Sequence, residues 1–214
     1  VVYSTKTINE FILLFKDGQI NLEPAFQRKS VWRLPDRKKL IESVFSNFPI
    51  PSIFLYKRDD NGELQYDVID GKQRLESIFM FTSTGRFKKN RFSAPLCIGD
   101  EKIQFDYSKI IKEKPDYIAN FKSYKIQTIE VSGDLSDITE IFVRINSKGK
   151  PLTKSEIRHA KYLDSDFLKE AQRLGDKYQK YFIENDIVSK NQISRMKHVE
   201  FVSELLASII GGAP

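Results

Sequence analysis

Over the first 131 residues, short runs in which apolar and polar positions alternate are interleaved with stretches of helical spacing. Beyond them, apolar positions recur at three- and four-residue intervals almost to the end. The first pattern predicts strands mixed with helices, and the second predicts a helical tail. Thr7 followed by Glu10 forms a capping box ahead of Phe11, Leu14 and Phe15, and Gly18 closes that helix. Ile20 to Pro24 reads as a short extended segment. Pro35 opens a helix over Asp36 to Asn47, with Leu40, Ile41, Val44, Phe45 and Phe48 on its apolar face. Pro49 and Pro51 end it. Ser52 to Lys57 and Leu64 to Ile69 are expected strands around the hairpin signal Asp59-Asp60-Asn61-Gly62. A helix follows, carrying Leu75, Ile78, Phe79 and Phe81 and stopping at Gly85. A smaller hairpin is expected over Ala94 to Ile98 and Lys102 to Phe105, turning at Gly99-Asp100. A short helix follows at Asp116 to Phe121 and a strand at Tyr124 to Val131. The tail reads as helices over Ser136 to Asn146, Thr153 to Tyr162, Asp166 to Tyr181 and Ser194 to Ile210. The expected class is α+β: a mixed domain over residues 1–131 and a helical extension over 132–214 packed on it as one structural unit.

The most informative stretch is Val68-Ile69-Asp70-Gly71-Lys72-Gln73-Arg74-Leu75, because it falls where a strand turns into a helix. The first N–H groups of a helix have no intrahelical acceptor, and its dipole favours an anion there. Gly71 allows close backbone approach, Arg74 can grip a phosphate through its planar fork, and Asp70 can hold a metal or orient a water. The plain alternative is a tight turn whose aspartate caps the helix.

Two further polar knots stand out. Phe26-Gln27-Arg28-x-x-Val31-Trp32 lies in a loop context, where Trp32 can anchor the loop and Arg28 can be a surface cation. Phe142-Val143-Arg144-Ile145-Asn146 precedes a turn at Gly149, and Thr153 with Glu156 boxes the next helix. Helix–turn–helix chemistry accounts for Gly149, Pro151, Thr153 and Glu156 but leaves the polar pair Arg144 and Asn146 unaccounted for.

Composition narrows the options. Thirty-five Lys and Arg against 29 Asp and Glu give a net charge of +6, which suits a polyanionic partner such as a nucleotide or nucleic acid. The dense basic clusters are Arg33 to Lys39 and Arg86 to Arg91; the second reads as a solvated loop with the chemistry to touch phosphates. A single cysteine, Cys97, excludes internal disulfides, suits a cytoplasmic protein, and is expected buried in the apolar run Ala94 to Ile98. No apolar run approaches the roughly 18 residues of a membrane span, and no signal segment is visible at the N-terminus, so no membrane partner is expected. The termini, Val1 and Gly-Gly-Ala-Pro, carry no clear terminal element, which is the expectation for a piece of a longer protein. His159 and His198 have no metal-ligand spacing, no Ser/His/Asp order exists, and no G-x-x-x-x-G-K-[ST] loop is present.

Taken together, Phe26-Gln27-Arg28-x-x-Val31-Trp32, the helix Leu40-Ile41-Glu42-Ser43-Val44-Phe45 with Pro49-Ile50-Pro51, the Val68–Leu75 turn, and Phe142 to Arg158 resemble the GmrSD restriction endonuclease N-terminal domain family. The resemblance runs from about Thr5 to about Ala160 in the family's order; no motif is matched after Asp164. It implies a ParB/sulfiredoxin-like fold and a pocket in which an NTP is bound with Mg²⁺ and hydrolysed. Hydrolysis would regulate a nuclease module, often an HNH domain, of a restriction or anti-phage system. Carried over by position, the nucleotide pocket comprises Gln27, Arg28, Gly71, Lys72, Arg74, Arg144 and Asn146, with Asp70, Gln73 and Arg74 catalytic and Asp70 the Mg²⁺ ligand. Arg28 and Arg74 would neutralise phosphate charge, Asp70 would orient metal or water, and Gln73 would fix the loop or the water.

One position departs from the family's D-G-Q-Q-R: its first Gln is Lys72 here, which either tightens phosphate binding or slows hydrolysis. Sulfiredoxin chemistry needs a cysteine in this turn, and Cys97 lies well downstream. With two histidines and no H-N-H-like cluster, a nuclease centre belongs beyond this stretch or to a partner. The alternative function is a ParB-like DNA-binding module without nucleotide turnover.

Overall fold

A computed structural model describes residues 1–24, 30–60, 62–98, 101–145, 153–162 and 165–212. By internal contacts the chain divides into two compact units. One comprises Val1–Leu22 with Trp32–Ser132, and the other Glu23–Val31 with Gly133–Pro214.

The first unit runs β1 (Val2–Thr7), α1 (Ile8–Lys16), β2 (Ile20–Asn21), α2 (Leu34–Phe45), β3 (Ile53–Asp60), β4 (Glu63–Asp70), α3 (Lys72–Phe81), a 3₁₀ turn (Gly85–Asn90), β5 (Ala94–Ile98), β6 (Glu101–Phe105), α4 (Tyr107–Glu113), α5 (Pro115–Ser123) and β7 (Lys125–Val131). Five strands form a mixed sheet in the order β1-β7-β3-β4-β2, while β5 and β6 pair separately. β3 pairs antiparallel with β4 and parallel with β7, β7 pairs antiparallel with β1, and β2 runs parallel to β4.

Strand periodicity puts Ile53 and Leu55, Tyr66 and Val68, and Ile126 on one face of that sheet. These side chains form one apolar core with Phe11 and Ile12 of α1, Ile41 and Val44 of α2, Leu75, Ile78 and Phe79 of α3, and Phe121 of α5. Each such fully buried side chain contributes about 1.5–3 kcal/mol. Aromatic contacts extend the core: Phe15 stacks on Phe79 at 4.5 Å, and Phe81 meets Phe121 at 5.5 Å and Tyr107 edge-on at 5.7 Å.

β1 has no apolar alternation and was not anticipated. A polar ladder with β7 holds it: the hydroxyls of Ser4 and Thr128 lie 2.6 Å apart, and Lys6 Nζ sits 2.8 Å from Glu130. Burial alone would lower the Lys6 pKa, but the hydrogen bond to Glu130 together with the attraction of Tyr66 and Glu130 holds the value above the usual lysine range. α4 was likewise missed; Asp106 caps it by accepting the Lys109 N–H at 2.8 Å.

Other expectations need correction. Phe48 is 63% exposed rather than part of the apolar face of α2. That helix ends at Phe45, and Asn47 at φ +53° turns the chain outward. Cys97 is exposed, because on β5 successive side chains alternate and Leu96 takes the inward position. α3 ends at Phe81 rather than running to Thr84.

The second unit is helical: α6 (Leu135–Ile145), α7 (Lys154–Lys161), α8 (Asp166–Glu184), α9 (Lys190–Ser194) and α10 (Lys197–Gly211). Its core joins Ala171, Phe182, Val188, Ile193, Met196, Val199 and Val202. The single helix expected over Ser194 to Ile210 is broken: Ser189 and Gln192 box a short helix, and Met196 at φ +61° starts the next. The Thr153–Glu156 capping box is present. Glu200 is a hub, taking the Ser155 hydroxyl at 2.5 Å and pairing with Arg158 and Lys197. His159 and His198 are both buried, with Nε2 contacts to Gln172 at 2.9 Å and Asp176 at 3.4 Å. Among the described residues, no helix is long and apolar enough to cross a membrane.

Candidate functional site

The strand-to-helix turn at Asp70–Arg74 is assembled by the centre of the sheet. Asp70 is the last residue of β4 and faces Phe54 of β3, next to a register irregularity between Phe54 and Leu55. Gly71 follows at φ +101° and is the N-cap of α3. A Cβ there would stand 2.8 Å from Ile53 Cγ1, 3.2 Å from Ile53 Cγ2 and 3.3 Å from Arg74 Nη2. The glycine therefore answers both a backbone and a packing demand. α3 begins with no side-chain cap and no acidic residue in its first turn, so Asp70 does not cap it.

Asp70 is committed elsewhere. Its Oδ2 pairs with Arg74 Nη2 one helical turn on, and the same Nη2 donates to the Ser52 carbonyl at 3.0 Å. Arg74 is mostly buried, Asp70 is about one-third exposed at the rim, and Arg74 Nε is buried without a hydrogen-bond partner. Arg74 thus stands between two oxygens with donor capacity to spare. Lys72 is almost wholly buried.

Gln73 ties the turn to the loop leading into α2: its Oε1 accepts the Trp32 N–H at 2.5 Å. Beneath it runs a polar chain that sequence reading missed. The Gln73 carbonyl accepts the Ser77 hydroxyl at 2.6 Å, Ser77 Oγ lies 3.2 Å from Arg37 Nη1, and Arg37 Nη2 pairs with Glu76 at 3.2 Å. Arg37 and Glu76 are both buried, which joins α2 to α3 through an ion pair. The available signal was the polar pair Glu76 and Ser77 set in the otherwise apolar stretch Leu75 to Phe81.

The structure therefore brings Asp70, Gly71, Lys72, Gln73 and Arg74 together on one turn. Arg144 lies on α6 of the second unit, exposed and paired with Glu140 at 2.5 Å. Gln27, Arg28 and Asn146 lie outside the described residues, as do the expected turn residues Gly149 and Pro151. No group of three or more metal-ligating side chains occurs among the described residues; Asp70 offers a single carboxylate.

Fold and site together define a mixed α/β domain whose distinguishing feature is a charged strand-to-helix turn. Residues 11–163, more than half the chain, match the family described as GmrSD restriction endonuclease, N-terminal domain, and the chain belongs to that family. No curated protein matches it.

Proposed function

We propose that this chain is the nucleotide-handling regulatory domain of a bacterial restriction or anti-phage protein, built on a ParB/sulfiredoxin-like fold. It binds an NTP and hydrolyses it with Mg²⁺, controlling a nuclease module, such as an HNH domain, that lies outside the chain. The family assignment supports the restriction context. The observation that carries the nucleotide reading is the Asp70–Arg74 pair at the start of α3, with the uncapped first turn beside it.

Phosphoryl transfer is chiefly positioning and charge stabilisation, and this turn supplies both. An incoming phosphate competes with Asp70 and the Ser52 carbonyl for the Arg74 guanidinium, which can form two parallel bonds to phosphate oxygens. The first N–H groups of α3 add their partial positive charge. Asp70, released from Arg74, orients the attacking water. The water oxygen adds to the terminal phosphorus as the bond to the bridging oxygen breaks, giving nucleoside diphosphate and phosphate. One carboxylate fits Mg²⁺, which characteristically takes one or two carboxylates together with substrate phosphates and water. When bound, the ion neutralises charge developing on the phosphate oxygens. Gln73 keeps the turn in place through Trp32, and the family resemblance adds Gln27, Arg28, Lys72, Arg144 and Asn146 as further candidates for nucleotide binding.

The test is phosphate release from ATP, GTP, CTP and UTP with Mg²⁺ by the wild type, Asp70→Ala and Arg74→Ala. Release by the wild type alone is expected. Equal release by all three refutes the assignment, and no release by any, with salt-sensitive DNA binding retained, favours the DNA-binding module instead.

A further inference from the structure

α3 carries the phosphate-gripping turn at its N-terminal end, and its C-terminal end leads into a second basic feature that this turn does not use. From Ser77 to Gly99 the chain has no carboxylate, and within that stretch Arg86, Lys88, Lys89 and Arg91 fall in six residues. All four are exposed, yet the segment is not a loose loop. It is a 3₁₀ turn, Gly85–Asn90, clamped by Phe87, which is 7% exposed and packs on Phe15 at 5.6 Å and Phe79 at 6.2 Å. The Phe87 N–H bonds the Thr84 carbonyl at 3.1 Å, and the Thr82 and Thr84 hydroxyls join at 2.7 Å. Ser83 at φ +55° and Gly85 at φ +52° shape the bend, and a Cβ on Gly85 would meet Phe15 at 2.9 Å.

We infer that this knuckle is a docking surface for the phosphate backbone of duplex DNA. Three observations carry the inference. Lys88, Lys89 and Arg91 form no ion pair among the described residues, so their charge is not spent inside the protein. Of these three, Arg91 lies near the Asp106 carboxylate. The Ser108 hydroxyl chiefly holds Asp106 below the ordinary carboxylate range, and Arg91 adds a little. The second observation is spacing: in a 3₁₀ turn residues three apart eclipse, so Arg86 and Lys89 project from one side about 6 Å apart along the axis. Both can therefore reach the same stretch of a sugar–phosphate strand. The third is preorganisation, since the Phe87 anchor orders the backbone before any partner arrives and lowers the cost of binding. The apolar side chain of the knuckle points into the core, so it offers a membrane nothing to insert. The restriction family supplies the choice of duplex DNA among polyanions. α3 spans 10 residues, about 15 Å, so the two phosphate-facing features sit at opposite ends of one helix.

The experiment measures fluorescence anisotropy of a labelled duplex against salt for the whole chain, the triple variant Arg86→Gln/Lys88→Gln/Lys89→Gln, and Lys88→Gln alone. Each lost phosphate contact lowers the slope of log affinity against log salt by about 0.9. The triple variant should lose about 2.7 of slope and at least tenfold in affinity at low salt, and Lys88→Gln about 0.9 of slope. Lys88 is exposed with no partner among the described residues, so its single variant keeps the fold whatever the triple variant does. Phosphate release without DNA should be unchanged in both. A chain that turns over no nucleotide but binds DNA through these residues sinks the nucleotide reading and keeps this one. Unchanged slope and affinity in both variants, or no duplex binding by the wild type at low salt, overturns it. Polyglutamate of matched charge displacing the duplex at equal concentration reassigns the knuckle to an acidic polypeptide.

Discussion

Replacing Gly71 by alanine tests whether the turn that carries Asp70 and Arg74 is as constrained as its geometry requires. The backbone sits at φ +101°, in the left-handed region, and such a conformation costs a non-glycine residue about 1–2 kcal/mol. The new methyl carbon would stand 2.8 Å from Ile53 Cγ1, whereas carbon atoms sit best at about 3.5–4.0 Å. Ile53 is fully buried between β4 and β7 and has nowhere to retreat, and overpacking of that kind costs about 1–3 kcal/mol. Together the two predict a loss of about 2–5 kcal/mol. Urea unfolding followed by Trp32, the only tryptophan, reports on the first unit directly. At about 2 kcal/mol/M the midpoint should fall by about 1–2.5 M with unchanged slope. Ile53→Ala removes the clashing carbons at its own cost of about 2–5 kcal/mol. The double variant should therefore be less destabilised than the sum by about 1–3 kcal/mol, the overlap part, while the φ strain remains. A Gly71→Ala protein within about 0.5 kcal/mol of wild type, or strict additivity with Ile53→Ala, would refute the reasoning.

Glu76→Ala leaves Arg37 buried without its carboxylate and should cost about 3–5 kcal/mol, whereas Arg37→Met with Glu76→Leu should recover most of it in the same urea assay. Gln73→Ala removes the acceptor of the Trp32 N–H and should red-shift the emission of the single tryptophan while far-ultraviolet dichroism stays constant; unchanged emission would show that the contact does not hold the loop. Thr7→Ala should cost about 1 kcal/mol by thermal unfolding, because its hydroxyl caps α1. The Thr7 hydroxyl and N–H hold Glu10 below its ordinary value near 4.5, so this carboxylate's stabilisation is complete above that pH and fades as pH falls through the lower folded value. Glu10→Gln should flatten the stability curve in that acid window and nowhere else.

What the sequence revealed, and what it hid, follows from the range of each signal. The Thr7–Glu10 and Thr153–Glu156 boxes, the β3–β4 hairpin and the start of α3 depend on neighbours a few residues apart, and all were readable. The family match agrees with the resemblance drawn from the four motifs. β1 was not readable because its partner lies more than a hundred residues away and its stabilising pairs, Ser4–Thr128 and Lys6–Glu130, are polar. The Asp70–Arg74 pairing was hidden differently: both residues were singled out, but not their i,i+4 contact, which turns each toward the other. Cys97 was misread because a five-residue apolar run does not show which alternate position faces inward.

The strand order also sets a timetable for a chain that is made from one end. β7 is the last strand of the first unit to be synthesised, yet it lies between β1 and β3. When β1 leaves the ribosome its pairing partner does not exist, and Val2 must wait for Glu130. At about 5–20 residues per second, that wait is on the order of ten seconds. The β2–β4–β3 part can close early by local pairing, but the sheet is completed only when β7 slides between a finished edge and a waiting strand. The polar character of β1 suits that interval, since an unpaired edge bearing Ser4, Thr5, Lys6 and Thr7 is a poor template for wrong partners.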